Sequence, residues 1–177
     1  ALALREDVGL DHDEPIDSFE YSERADASMF YITHIRAIVQ SVALNLATPQ
    51  GVLVSPPQES GEGDGGLFKG ILARYLAEVA LRLPADSKEN IATKKIAARL
   101  VMQSAESLWS HRLEVDGQPV FAAEWTQDAK LPHNYGLGPS SISEAVGLLR
   151  IDERDLSVQL SGWMLLEAAA KVAAMEA

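Results

Sequence analysis

The sequence predicts an all-α protein built from long amphipathic helices that irregular loops connect. Three observations predict this class. Apolar residues recur at helical intervals over several long segments, no segment shows sustained strand alternation, and proline and glycine are concentrated between the helical segments. The 177 residues, of which 47% are hydrophobic and 23% charged, are enough for one ordinary globular domain. Long helices alternating with loops indicate stacked helical hairpins.

The first long helix is predicted to begin at about Asp26. Residues 1–25 are acidic, contain Pro15 and have few apolar residues in register, so they are predicted to form an irregular segment ahead of a helical domain over 26–177. The segment from Pro49 to Gly51 supplies the stop signal of the helix. The apolar residues at helical spacing are Ile32, Ile35, Val39, Val42 and Leu46.

A loop rich in proline and glycine precedes the second predicted helix. Gly63, Gly65 and Gly66 lie at the end of this loop, and Pro84 ends the helix. A loop of this length and composition indicates a functional segment more than a simple connector. The predicted apolar stripe of the helix comprises Phe68, Leu72, Tyr75, Leu76, Val79 and Leu83.

The rest of the chain predicts a third long helix, a short hairpin and two further helices. The third helix is predicted from about Lys88 to His111, with capping residues in ADSKEN before it. EVDGQPVFAAEW places glycine and proline beside a few β-favouring residues, which predicts a hairpin. The last two helices are predicted near Ser141–Leu149 and over about 155–175, and LPHNYGLGPSS is predicted to be irregular.

Charge and residue types exclude several classes of function. The net charge of −11 opposes binding to a phosphate backbone, so nucleic acid is not an expected partner. No apolar run reaches the ~20 residues of a membrane-spanning helix. The absence of cysteine excludes thiol chemistry and leaves the redox compartment undecided. His34, His111 and His133 have no partners at metal-ligand spacing, and His12 lies between two aspartates in the N-terminal segment, so neither a metal nor a cofactor is expected.

Lys69 is the unusual residue at the start of the second helix. The helix dipole disfavours a cation there, so another interaction must favour it. One interpretation is a salt bridge to Asp64 or Glu62. The other is a donor that points into a cleft and binds sugar hydroxyls, with Asp64 as an acceptor and Phe68 packing on the sugar. A phosphate-binding loop is disfavoured because GxxxxGK[ST] does not occur.

Aromatic side chains provide the other candidates for contact with a glycan. The C–H face of a sugar packs on an aromatic ring, and Trp125 and Tyr135, both in irregular segments, are candidates for this contact. Trp109 and Trp163 lie within helical patterns beside apolar neighbours, so core packing is expected for both. The serines of GPSSISE lack the GxSxG context of a nucleophile and indicate a helix cap.

Four segments resemble glycoside hydrolase family 76, the endo-α-1,6-mannanases. GDGGLFKGILARYLAEVA resembles the Asp-rich loop and Phe-Lys-Gly helix start of the family, and LATPQGVLVS resembles the segment before it. QSAESLWSHRL is similar to the end of the following helix, and DLSVQLSGWMLLEAAAK to the closing helix. The resemblance covers Ile32 to Lys171 in matching order. It implies an (α/α)6 toroid with a glycan cleft across one end and retaining hydrolysis of α-mannosides by two carboxylates.

Two departures from the family pattern qualify what the resemblance implies. The catalytic pair of adjacent aspartates among aromatics is missing, since the chain contains no Asp-Asp. Asp13-Glu14 and Asp152-Glu153 lack the aromatic surroundings, so no catalytic residue is assigned. The Tyr-Asn-Gln-Gly helix start and the inner helix expected near FEYSERADASMF are also missing. Both departures indicate the second half of a toroid, which would expose apolar faces that partner helices normally cover.

The sequence therefore predicts part of a glycan-acting domain. The expected substrate is an α-1,6-mannan-like oligosaccharide or polysaccharide, and the expected partner is the missing half of the same domain. The predicted substrate-binding residues are Asp64, Phe68, Lys69, Trp125 and Tyr135. The alternative is a non-catalytic helical domain that binds a glycan or another protein.

Overall fold

A computed structural model describes residues 18–55, 65–130 and 155–176, and the side chains among them from Ser28 to Met175. The all-α class is confirmed for this part of the chain, in which one small hairpin is the only sheet. The predicted helix at 141–149 and the predicted irregular segment at 131–141 lie outside the described residues. The elements are α1 (Ser18–Asn45), α2 (Gly65–Arg82), α3 (Lys88–Ser110), β1 (Leu113–Val115), β2 (Gln118–Val120) and α4 (Leu156–Glu176).

The chain divides into two compact units, residues 1–34 and residues 35–177. Within the first unit the structure describes the beginning of α1, where the Phe30 ring packs edge-on against Tyr31 at 5.6 Å between centroids. The side chains of both residues are exposed. The second unit contains the rest of α1, the other helices, the hairpin and the buried core described below.

Helix α1 begins at Ser18, eight residues before the predicted start at Asp26. The prediction of an irregular segment up to residue 25 is therefore wrong for residues 18–25. The physical reason is local: SFEYSERA has few apolar residues, but Glu, Arg and Ala have high helix propensity and favour a helix where apolar periodicity gives no signal. The predicted end is confirmed, because the helix stops at Asn45, before Pro49.

Helices α2, α3 and α4 pack against one another and form the centre of the second unit. The core between them is apolar and includes Leu76, Val101, Leu108, Leu165 and Val172, each at most slightly exposed. Since burial of one such side chain stabilises the folded state by roughly 1.5–3 kcal/mol, this contact surface is the main source of stability.

The buried face of α2 differs from the predicted apolar stripe. Phe68 and Tyr75 are exposed, and the buried face consists largely of small residues: Gly66, Gly70, Ala73, Ala77 and Ala80. The small face allows α4 to approach closely. A Cβ atom on Gly70 would lie 2.7 Å from Ser161 Cα, and the Gly70 amide donates to Ser161 Oγ at 2.8 Å. The aromatic residues of α2 therefore point away from this contact.

The boundary between α2 and α3 has the predicted capping residue and, in addition, a contact from Lys94. Ser87 is the N-cap of α3, and its Oγ accepts from the Asn90 amide at 3.1 Å. The ammonium group of Lys94 donates to the carbonyl oxygens of Leu81 and Leu83 at 3.2 and 2.8 Å. These carbonyls belong to the last turn of α2 and the residue after it, so Lys94 stabilises that end and ties it to α3.

The predicted hairpin is confirmed as antiparallel strands β1 and β2, with Leu113 opposite Val120. Asp116 and Gly117 form its two-residue turn, with φ angles of 51° and 75°. Positive φ at both positions is typical of the tight turns that match the twist of a hairpin. The hairpin leads the chain from the end of α3 back towards the start of α2.

Candidate functional site

At the start of α2, the buried ammonium group of Lys69 is surrounded by residues of the segment that follows β2. The side chain of Lys69 donates to the carbonyl oxygen of Ala123, and its Nζ lies 3.4 Å from Glu124 Oε1 and 4.9 Å from the centroid of the Trp125 ring. Lys69 is only 8% exposed and Trp125 only 1%. We call Lys69, Glu124 and Trp125 the Lys69 cluster.

The cluster compensates the cost of burying an ammonium group. Burial lowers the pKa of Lys69 below the 10.5 of a lysine in water, and the charge and hydrogen bond of Glu124 offset part of this shift. The carbonyl of Ala123 and the face of the Trp125 ring supply further negative potential at the same point. A cation disfavoured by the dipole of α2 is thus held by contacts outside that helix.

Hydrogen bonds to α3 and α4 fix the segment that surrounds Lys69. The amide and carbonyl of Phe121 bond to the side-chain amide of Gln159 on α4, at 3.0 and 2.8 Å. Ser107 Oγ on α3 donates to the Trp125 carbonyl at 2.7 Å. Residues 121–125 are therefore tied to three helices, with Lys69 providing the contact to α2.

The described residues leave little free space beside Lys69. The notch at this point has a volume of about 10 Å³, close to the minimum for one water molecule. It is lined by Ser55, Gly65, Gly66, Lys69, Ala123, Trp125, Val158 and Ser161. The notch is too small for a sugar ring, so the described atoms of Lys69 and Trp125 act on their protein neighbours.

The structure brings together two of the five residues predicted to bind a glycan. Lys69 and Trp125 are in contact, whereas the side chain of Phe68 is 51% exposed. Asp64 and Tyr135 lie outside the described residues. Lys69 does form a salt bridge, but its partner is Glu124. The predicted partners Asp64 and Glu62 lie outside the described residues, so a salt bridge to either of them stays a prediction.

The burial of the tryptophans differs from the expectation for core packing. Trp109 is 45% exposed and carries the Arg112 guanidinium 4.0 Å from its ring centroid, and Trp163 is 49% exposed with an edge contact to Phe121. Helical spacing places both tryptophans near apolar neighbours but does not show which face of the helix is covered. Trp125 is the tryptophan that is buried, although it lies in an irregular segment.

Sequence reasoning did not identify Glu124 and Ser161. Both are important for the site because they contact Lys69 and Gly70, which adjoin each other at the start of α2. Glu124 lies 55 positions from Lys69 and Ser161 lies 91 positions from Gly70. Contacts at such separations depend on helix packing, and no local pattern indicates them.

Residues 18–55, 65–130 and 155–176 contain neither a metal site nor a membrane-spanning helix. No group of three His, Asp or Glu side chains in these segments is placed to hold a metal ion. His34 bonds to the Phe30 carbonyl and His111 to the Ser107 carbonyl. Among the described helices, none has the length and apolar character needed to cross a bilayer.

Comparison with known proteins adds no assignment. The chain matches no protein-family model, no curated protein and no solved structure.

Proposed function

We propose that the chain supplies part of an (α/α)6 toroid that acts on a glycan, of the glycoside hydrolase family 76 type. The substrate class is an α-1,6-mannan-like oligosaccharide or polysaccharide. In the complete domain, two carboxylates outside this chain would carry out retaining hydrolysis from positions roughly 5–5.5 Å apart. This chain would contribute one wall of the glycan cleft.

The observation that supports the proposal is that the four family-like segments contact one another. The Leu53 amide, in LATPQGVLVS, donates to Ser104 Oγ, in QSAESLWSHRL, at 2.9 Å. The Gly70 amide, in the Phe-Lys-Gly helix start, donates to Ser161 Oγ of the closing helix at 2.8 Å. All four segments also contribute buried residues to the same core, among them Leu53, Ala73, Leu108 and Leu165.

Within this proposal the Lys69 cluster positions the wall of the cleft. Lys69 and Trp125 hold residues 121–125 against the start of α2, and Phe68 remains accessible at the same end of the helix. An exposed ring at that place can pack on the C–H face of a sugar. Asp64 and Tyr135 complete the proposed substrate-binding set.

Exposed apolar side chains on two helices support the proposal that partner helices belong here. Beyond Phe68, Ile71 and Tyr75 continue one stripe of α2, and Leu156, Leu160 and Trp163 follow one stripe of α4; all five are exposed. Such stripes normally pack against another element. The same observation favours the second candidate function, a non-catalytic helical domain that docks another protein.

A binding experiment with two matched aromatic variants tests the proposal. We expect α-1,6-linked mannotetraose to bind the chain in a calorimetric titration and maltotetraose not to bind. Phe68→Ala is expected to weaken mannotetraose binding about 5-fold to 10-fold, because loss of one aromatic contact costs about 1 kcal/mol. Tyr75→Ala removes another exposed ring from α2, two turns away, and should leave the affinity unchanged.

Two outcomes would contradict the proposal in different ways. Absence of mannotetraose binding, or equal losses in both variants, would overturn the glycan assignment and favour the protein-docking candidate. Hydrolysis of α-1,6-mannan is not expected from this chain alone. Turnover by it would overturn the placement of the catalytic carboxylates outside the chain.

A further inference from the structure

A second cavity lies along the first half of α3, away from the Lys69 cluster. It has a volume of about 500 Å³, within the usual range for ligand pockets. The apolar part of its lining comes from Ala85 before α3, Ile91, Ala98 and Met102 on α3, and Met175 near the end of α4. Two methionines allow the lining to adapt to the shape of an unbranched chain.

Three cations also belong to the lining that the described residues form: Lys94, Lys95 and Arg99. Lys94 and Arg99 donate to backbone carbonyls, Arg99 at long distances of 3.4 Å. Among the described ion pairs, none joins any of the three to a carboxylate. In a chain with 26 acids and only 15 lysines and arginines, it is unusual that the charged side chains of the described lining are all cations.

We propose that this cavity binds an amphipathic carboxylate, an unbranched alkyl chain of about ten carbons with one anionic head. The tail would lie on Ile91, Ala98 and the two methionines. The head would take donors from Lys95 and from guanidinium N–H groups of Arg99. A neutral or cationic head group would lose these contacts. The proposal is independent of the glycan assignment, since it uses none of the Lys69 cluster.

Methionine-methyl NMR provides a test with internal controls. The chain has four methionines, of which Met102 and Met175 line the cavity and Met29 and Met164 do not. With decanoate below its micelle concentration, we expect saturable shifts of the Met102 and Met175 methyl signals alone. Met29 is exposed, so it reports nonspecific adsorption of the detergent-like probe. No shift, or similar shifts of all four signals, would overturn the proposal.

The two halves of the ligand are tested separately. Octanoate has two methylenes fewer than decanoate, and each buried methylene raises the affinity about fourfold. Octanoate should therefore bind about 15-fold more weakly. Decanol and decyltrimethylammonium should bind more weakly than decanoate. Equal affinity for decanol and decanoate would overturn the role assigned to the cations, and an affinity independent of chain length would overturn the role assigned to the apolar lining.

Substitutions locate the binding to this cavity. Lys95→Gln should weaken decanoate binding about threefold to fivefold, the size expected for an exposed ion pair. Lys88→Gln makes the same change in net charge on the same helix outside the cavity lining, and should have no effect. Ala85→Trp, at an exposed position, should abolish the Met102 and Met175 shifts while the circular dichroism spectrum is retained. Unchanged decanoate binding by Ala85→Trp would overturn the assignment.

Discussion

The contact between Gly70 on α2 and Ser161 on α4 makes a testable prediction for Gly70→Ala. In an exposed helix, the change from glycine to alanine stabilises the helix by about 1 kcal/mol. At this position the new Cβ would lie 2.7 Å from Ser161 Cα and 2.8 Å from its carbonyl oxygen. Both atoms belong to the backbone, so no side-chain rotation relieves the overlap. The helices must separate by about 0.7 Å to restore ordinary contact.

The cost of that separation exceeds the gain in helix propensity. Overpacking of a tight core costs about 1–3 kcal/mol. The separation also lengthens the hydrogen bond from the Gly70 amide to Ser161 Oγ, now 2.8 Å, to a length at which it contributes little. A hydrogen bond of this kind is worth about 1 kcal/mol. After subtraction of the propensity gain, we expect Gly70→Ala to lower the free energy of unfolding by about 1–3 kcal/mol.

Urea unfolding followed by circular dichroism at 222 nm measures this change. Ala92→Gly, at an exposed position of α3, serves as the control because it isolates the propensity difference and should cost about 1 kcal/mol. Ser161→Ala isolates the hydrogen bond. If Gly70→Ala is as stable as the wild type or more stable, α2 and α4 do not approach as closely as described, and the reasoning fails.

Three further predictions concern the Lys69 cluster, the core and the hairpin. The pKa of Lys69 is lower in the folded state than the 10.5 of an unfolded lysine, so between these two values the folded state binds fewer protons than the unfolded state. The free energy of unfolding of the wild type, compared with that of Lys69→Met, should therefore rise as the pH increases towards 10.5. Denaturant titrations at several pH values measure the difference, and a flat or falling difference would contradict burial of the charge. Ser104→Ala should lower the free energy of unfolding in urea by about 1–3 kcal/mol, because it leaves the buried Leu53 amide without its acceptor. Ser110→Ala, at an exposed position, is the control and should lower it much less. Gly117→Ala should cost about 1 kcal/mol through its positive φ alone, since no atom lies within 4 Å of the added Cβ; a neutral effect would argue against the described turn.

The elements of the fold were predictable wherever a local signal sets them. Pro84 and the Ser87 cap separate α2 from α3, and Asp116-Gly117 marks the hairpin turn. The start of α1 was missed because the prediction relied on apolar periodicity and not on helix propensity. Helical hairpins were expected, and α2 and α3 pack together in this way; the complete toroid stays a prediction.

The candidate site was less predictable, because its contacts join distant parts of the chain. The oddity of a cation at the start of α2 was visible in the sequence, but its partner Glu124 was not. The buried face of α2 also differs from the predicted one, because the prediction used the large apolar residues and the face consists largely of small ones. A row of glycine and alanine from Gly66 to Ala80 was the signal that could have identified the close approach of α4.

The link from Lys94 to the end of α2 has a consequence for how the molecule opens. An ordinary connection between two helices frays first, because the last carbonyls of the leading helix have only water as a partner. Here the ammonium group on α3 holds the carbonyls of Leu81 and Leu83. In amide hydrogen exchange, α2 and the first half of α3 should therefore lose protection together, as a single cooperative unit.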